Sequence, residues 1–146
     1  MKDDRIIIYT DGSCLGNPGK GGWGSVMIYK DYQKEFSGSE KETTNNRMEI
    51  KAVIESLKKI KNNNILIEIY TDSKYVKNGI NNWIFNWKNN GWKTSNKKPV
   101  KNVELWKELD FLVQKYKISW YWVKGHDGNK FNEIADNLAR MAAESF

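Results

Sequence analysis

Two segments of this chain rich in β-branched and aromatic residues end in the same three residues, Tyr-Thr-Asp. The first runs from Ile6 to Asp11 and the second from Ile67 to Asp72. Such residues favour strands, and the small or turn-forming residues that follow each aspartate end them. The pattern therefore predicts two strands that each deliver one carboxylate at the edge of a sheet.

Between these two strands the hydrophobic period becomes helical, from about residue 44 to residue 61. Apolar residues recur there on one face, at Ile50, Val53, Ile54, Leu57 and Ile60. A helix that connects two strands is the usual crossover that makes them parallel. We therefore expect both aspartates at the same edge of the sheet, where open α/β sheets bind ligands.

The rest of the pattern completes a mixed α/β sequence. Residues 23–29 and 33–36 predict two strands that a short connection makes antiparallel, and residues 118–123 predict a last strand. Helices are predicted beyond the second Tyr-Thr-Asp, at residues 103–116, and after Asn129, which would be the N-cap. This order implies a mixed sheet with helices packed on its faces.

The composition is that of one soluble domain. The chain has 146 residues, of which 29% are charged and 39% hydrophobic. No stretch has the length of a transmembrane helix, and the start does not resemble a signal peptide. The single cysteine, Cys14, has no internal disulfide partner. We therefore expect a cytoplasmic protein with no membrane association.

A positive net charge changes the expected partner. The formal net charge is +6, from 24 Lys and Arg against 18 Asp and Glu, which favours a polyanionic partner. Residues 86–101 contain five lysines and no acid, close to three tryptophans, and phosphate-binding surfaces combine such charge with aromatic platforms. The alternative is a solvated face over core tryptophans; we expect Trp87 in the core and Trp83 as the outward contact.

Five side chains are chemically ambiguous. The paired aspartates suggest a raised pKa or a bound cation, although aspartate is also common where loops start. On the pattern alone, Glu49 completes a capping box with Asn46, and Asp136 is a surface acid. His126 is the only histidine and lies between glycines on a loop. It cannot build a metal site alone, but it could move protons near neutral pH.

An ordered set of motifs spans nearly the whole chain. They are residues 9–14, 16–19, 43–49, 70–73, 91–94, 97–103, 123–126 and 132–136. With these motifs in this order, the chain closely resembles the bacterial type 1 ribonuclease H family. The resemblance implies a five-stranded mixed sheet flanked by helices, with the first three strands antiparallel and the last two parallel to the first. It also implies a single domain over residues 1–146, with a basic protrusion at about residues 86–101.

The resemblance implies a nuclease that cleaves the RNA strand of RNA–DNA hybrids and leaves 5′-phosphates. Asp11, Glu49, Asp72 and Asp136 match the family's carboxylates, which hold Mg²⁺ or Mn²⁺, with two ions in the substrate complex. Such ions activate water and stabilise the leaving oxygen of a phosphodiester. His126 matches a histidine that assists proton transfer or product release. Matches to substrate contacts are Asn17, Thr44, Asn45, Asn46, Trp83, Lys88, Lys93, Lys97 and Lys98.

The protrusion departs from a more basic family pattern. Residues 86–90 read Asn-Trp-Lys-Asn-Asn, so we expect the affinity for a hybrid to depend less steeply on salt than in basic-rich members. Two alternative functions are a non-catalytic hybrid-binding module and a related nuclease acting on DNA. We expect a monomer.

Overall fold

A computed structural model of the protein describes residues 4–62, 64–123 and 129–146. Five strands in these ranges are β1 (Arg5–Leu15), β2 (Gly19–Tyr29), β3 (Tyr32–Thr43), β4 (Leu66–Thr71) and β5 (Lys117–Trp122). They form one sheet in the order β3-β2-β1-β4-β5. The first three strands are antiparallel, and β4 and β5 run parallel to β1. The predicted five-stranded mixed sheet is confirmed.

Helices connect and cover this sheet. They are α1 (Asn45–Lys58), α2 (Lys74–Asn78), a π-helical turn (Gly79–Trp83), α3 (Ile84–Asn89), α4 (Val103–Lys115) and α5 (Lys130–Glu144). Helix α5 packs across β1, β2 and β3, whereas α1 packs on β1 and β2 and is itself contacted by α4. None of the helices in the described ranges has the length and apolar character needed to cross a bilayer.

The apolar stripe of α1 forms the main core, as predicted. All five predicted members are buried with residues of β1 and β4 and with the fully buried Trp106 of α4, although α1 ends at Lys58 and Ile60 lies beyond it. The predicted capping box is wrong. The N-cap is Thr44, whose Oγ1 accepts a hydrogen bond from the Arg47 amide at 3.2 Å. Because the helix begins two residues earlier than a cap at Asn46 requires, Glu49 lies on the buried side of the helix and not at its end.

Strands β1, β2 and β3 are longer than predicted, and β1 continues beyond Asp11 to Leu15. Strand β3 extends to Thr43 although only residues 33–36 showed a strand pattern, and β2 begins at Gly19, four residues before its predicted start at Trp23. The added residues are mostly polar or glycine, so their strand conformation comes from pairing with the neighbouring strand and not from burial. Gly24 of β2 lies against the Ala135 carbonyl of α5, an approach that leaves no room for a Cβ. This close packing fixes α5, and with it Asp136, beside β1.

Candidate active site

The register between β1 and β4 brings the two Tyr-Thr-Asp copies side by side. Tyr9 is paired with Tyr70 in the parallel ladder, and their rings stack with centroids 4.7 Å apart. Asp11 and Asp72 each lie two residues beyond this pair, so both emerge at the same edge of the sheet. The predicted pairing of the aspartates is confirmed by this register.

Glu49 of α1 joins the two aspartates. One carboxylate oxygen from each of Asp11, Glu49 and Asp72 lies within 4.8 Å of the other two. Glu49 is only 7% exposed, and its Oε2 has no hydrogen-bond partner among the described residues. A buried carboxylate oxygen without a donor is costly unless a cation or a proton satisfies it. Oxygen ligands at this spacing suit a hard divalent ion such as Mg²⁺.

The electrostatics of the cluster favour the same interpretation. Burial, followed by the negative charge of Asp72, raises the pKa of Asp11 to about 8, although the Gly12 amide donates a hydrogen bond to Asp11 Oδ1 at 2.9 Å. Burial and the charges of Asp11 and Asp72 also raise the pKa of Glu49. Three carboxylates this close cannot all be ionised cheaply without positive charge between them.

Asp136 lies at the margin of this cluster. It belongs to α5, whose N-cap is Asn129 as predicted, with Oδ1 accepting from the amides of Phe131 and Asn132. After burial and the charge of Asp72, the charge of Asp136 also raises the pKa of Asp11. However, Asp136 Oδ2 also lies 3.2 Å from Arg140 Nε one turn away. His126 lies outside the described residues.

Asn132 enters the site without having been predicted as a site residue. With Thr10, Asp11 and Asp72 it lines a small cavity of about 10 Å³, close to the space that one water molecule needs. Asn132 precedes Asp136 by four residues on α5, so both project from the same helix face. That spacing and its place in the motif at residues 132–136 are the sequence signals that could have identified it.

A groove of about 470 Å³ lies beside the acidic cluster. It is lined by Asn17, Thr44, Asn46, Tyr75, Trp83, Trp87, Thr94, Val100, Lys101 and Asn102. Four of the predicted substrate residues are therefore brought together here. Asn45 does not line it, but its amide donates to Asn17 Oδ1 at 3.0 Å and ties the β1–β2 connection to α1. Trp87 packs against the core, with its ring centroid 5.5 Å from that of the buried Trp106, but it is only half-buried and also lines the groove.

The basic protrusion folds back as a tight, hydrogen-bonded turn after α3. The Thr94 amide donates to the Lys98 carbonyl at 2.7 Å, and Lys93 forms a bridge with Pro99. None of the four predicted contact lysines lines the groove itself. Lys88 instead pairs with Asp110 of α4 at 3.3 Å. Lys101, which was not on the predicted list, does line the groove.

Comparison with known proteins places this arrangement in a family. The sequence profile of RNase H matches residues 3–144. The chain belongs to the RNase H family. A ribonuclease H from Ruthia magnifica subsp. Calyptogena magnifica is 55% identical over 141 residues, and one from Wolbachia pipientis wMel is 57% identical over 142 residues. Each alignment covers 97% of this RNase H chain and 97% of the relative.

Solved RNase H structures share the fold. LC9-RNase H1, described as a type 1 RNase H with the type 2 active-site motif, superimposes with a TM-score of 0.86 at 34% identity, covering 97% of this chain and 72% of that one. LC11-RNase H1, solved in complex with an RNA/DNA hybrid, has a TM-score of 0.67 at 25% identity, covering 96% of this chain and 97% of that one. The sheet order and the flanking helices described above are therefore those of the family.

Proposed function

We propose that this protein is an endonuclease that hydrolyses the RNA strand of RNA–DNA hybrids and leaves 5′-phosphates. The observation that carries the proposal is the cluster of Asp11, Glu49 and Asp72, whose oxygens lie within 4.8 Å of one another. Membership of the RNase H family and the hybrid bound to LC11-RNase H1 support the choice of substrate.

The three clustered acids, with Asp136, are the proposed ligands of two Mg²⁺ ions in the substrate complex, for which Mn²⁺ can substitute. The unpartnered Oε2 of buried Glu49 supports this fit. When bound, such ions supply positive charge that activates water and stabilises the leaving oxygen of a phosphodiester. The protein holds the carboxylates in place and excludes bulk water from Glu49.

The groove is the proposed path of the hybrid. Asn17, Thr44 and Asn46 contribute polar groups to its lining, and Trp83 and Trp87 contribute aromatic surface. Polar side chains of this kind contact phosphate and sugar oxygens without reading the bases. Only the 2′-hydroxyl distinguishes RNA from DNA locally. We assign recognition of this hydroxyl to Asn17, Asn45 and Asn46. Lys88, Lys93, Lys97 and Lys98 are proposed to neutralise phosphates from the protrusion.

Three further proposals rest on the sequence. His126 is proposed to transfer a proton or assist product release, and replacing it with alanine should slow cleavage without abolishing it. The protein is proposed to act as a monomer, which sedimentation would test. A cytoplasmic location remains a prediction from the single cysteine and would be tested by fractionation.

Strand-specific labelling tests the proposed reaction. Hybrid, duplex DNA and duplex RNA of one sequence are incubated with the protein, with Mg²⁺ or with a chelator. We expect cleavage of the RNA strand of the hybrid alone, and only with the ion. Asp11→Asn should abolish cleavage while hybrid binding persists. Asp31→Asn, in the exposed β2–β3 turn, should leave both cleavage and binding unchanged. Cleavage by the Asp11 variant would refute its assignment, and binding without any cleavage by the unaltered protein would favour a binding module.

A further inference from the structure

A row of three stacked tyrosines crosses the sheet beside the acidic cluster. Tyr9 of β1, Tyr70 of β4 and Tyr121 of β5 occupy matching register positions and therefore share one face of the sheet. Neighbouring rings have centroids 4.7 Å apart and interplanar angles of 16° and 12°. That distance is the ordinary spacing of adjacent strands, about 4.7–4.9 Å. We call these three residues the tyrosine row.

The tyrosine row is closed at one end and open at the other. Helix α5 packs over β1, β2 and β3, and its Phe131 contacts Tyr9 with ring centroids 5.3 Å apart. In the part of the chain that the structure describes, β5 is an edge strand, so no strand follows beyond Tyr121. Tyr121 is 41% exposed. A planar group can therefore continue the stack on the outer face of its ring.

The tyrosine row lies next to the two aspartates of the acidic cluster. Asp11 and Asp72 each follow a tyrosine of the row by two residues, and Asp11 lies on the same face of β1 as Tyr9. Two residues of a strand span about 7 Å. A polynucleotide strand with one phosphate at the acids would therefore reach the row within about two nucleotides.

Positive charge is available beside the tyrosine row. Lys117 begins β5 and Lys130 begins α5, and both are exposed. The Lys130 ammonium lies 5.7 Å from the centroid of the Phe131 ring. Glu68, the acid in the next register position of the same face, pairs with Arg5 at 3.1 Å. The surface thus combines aromatic rings with cations, which is the combination that binds single-stranded nucleic acid.

We propose that the tyrosine row binds an unpaired nucleotide of the RNA strand beside the hybrid, with its base stacked on Tyr121. This inference rests on the proposed function, which brings the RNA strand to the acids. Bases inside a duplex already stack on one another, so only an unpaired nucleotide offers its base to a protein ring. Because aromatic rings stack on every base, the row would select an RNA overhang by its structure and not by its sequence.

Two other occupants suit the tyrosine row less well. A second copy of the chain carries the same net charge of +6 and would be repelled. A strand of another protein could pair with the edge of β5, but such a strand would make no use of the neighbouring acids and lysines. An unpaired nucleotide uses the rings, the lysines and the position beside the acidic cluster together.

Hybrids with overhangs test the proposal. Asp11→Asn, which is expected to bind without cleaving, is titrated with a blunt hybrid and with hybrids that carry a short RNA overhang on the 5′ or the 3′ side. Each overhang has 2-aminopurine as its first unpaired base. Because the row lies on one side of the acids, one polarity alone should bind about fivefold or more tightly than the blunt hybrid, with its fluorescence quenched by stacking. Equal affinity of all the hybrids, or an equal gain from both polarities, would overturn the proposal.

Matched variants in the same background locate the site, with each affinity taken relative to that for the blunt hybrid. Tyr121→Leu should remove the gain and the quenching, whereas Tyr121→Phe, which keeps the ring, should retain both. Tyr32→Leu, the same change at a tyrosine that is 71% exposed on β3, should alter neither.

Three further outcomes would overturn the proposal. They are a gain that persists in Tyr121→Leu, an equal gain from an overhang on the DNA strand, and self-association of the protein that Tyr121→Leu abolishes. Cleavage of the blunt hybrid by the unaltered protein tests the proposed function separately. If that hybrid is cleaved and the overhang adds nothing, only the assignment of the tyrosine row fails.

Discussion

Gly12 lies directly against the backbone of Glu49. A Cβ built on Gly12 would be 2.5 Å from the Glu49 nitrogen and 2.7 Å from the Met48 carbonyl carbon. The missing side chain therefore allows α1 to approach β1 closely enough for Glu49 to meet Asp11. This backbone contact, more than any side-chain hydrogen bond, sets the geometry of the acidic cluster.

Gly12→Ala should disturb both stability and ion binding. Because the added methyl group meets backbone atoms, α1 must move away from β1. We expect a loss of about 1–3 kcal/mol in the free energy of unfolding and weaker Mn²⁺ binding. Denaturant unfolding and calorimetric titration with Mn²⁺ measure the two effects, with Ser13→Ala as the neighbouring control. Unchanged Mn²⁺ affinity in a folded Gly12 variant would contradict this role of the contact.

The raised pKa of Asp11 predicts an unusual dependence of stability on pH. Between its ordinary value of 3.8 and about 8, the folded protein holds a proton that the unfolded chain has lost. The contribution of Asp11 to stability is therefore fully present below about pH 4 and is lost as the pH rises through about 8. Glu49, whose pKa is also raised, acts in the same direction.

Urea unfolding with chelator present, compared between the unaltered protein and Asp11→Asn, isolates this effect. The stability of the unaltered protein relative to the variant should fall from pH 4 to pH 8. Added Mg²⁺ should stabilise the unaltered protein more at pH 8 than at pH 5, because protons compete with the ion for the carboxylates. A relative stability that rises with pH would contradict the raised pKa of Asp11.

Tyr75→Phe should destabilise the fold through one lost acceptor. The Tyr75 hydroxyl accepts hydrogen bonds from Trp106 Nε1 at 3.0 Å and from Asn102 Nδ2 at 3.1 Å. Trp106 is fully buried, so the substitution leaves its indole N–H unpaired at a cost of about 1–3 kcal/mol. Tyr29→Phe makes the same chemical change at an exposed hydroxyl and should have a much smaller effect on thermal unfolding. Equal effects would argue against the buried hydrogen bond.

Salt dependence tests the protrusion. Because Lys88 already pairs with Asp110, we expect it to contribute less to hybrid binding than Lys93, Lys97, Lys98 and Lys101. If four lysines engage phosphates, the slope of log K against log salt is about −2.8 to −3.6, whereas five give about −3.5 to −4.5. This slope should be shallower than that of a relative with a basic-rich protrusion.

The measurement uses Asp11→Asn, which is expected to bind the hybrid without cleaving it. Lys98→Ala should reduce the magnitude of the slope by about 0.7–0.9, whereas Lys88→Ala should reduce it by less. A larger change on replacing Lys88 would mean that the Asp110 pair opens in the complex.

Features that depend on local periodicity were predictable. The repeated Tyr-Thr-Asp predicted two strands ending in carboxylates, and the helical stripe between them predicted a crossover and hence parallel strands. The parallel strands and the N-cap at Asn129 are confirmed, whereas only β4 ends at its aspartate and β1 continues beyond Asp11 to Leu15. A strand edge and an amphipathic helix each leave a signal in neighbouring residues, because burial on one face constrains residue type at a fixed spacing.

Features that depend on what covers a residue were not predictable. The local pattern predicted that Glu49 caps a helix. In the structure, the approach of α1 to Gly12 buries Glu49 beside Asp11. The same limit applies to Trp87 in the groove wall, to Lys88 paired with Asp110, and to Asn132 beside the acids. In each case the contacting residue is distant in the chain, so the contact cannot be predicted from the pattern of neighbouring residues. The acidic pair follows from strand register, but the third carboxylate follows from how closely a helix can pack on a glycine.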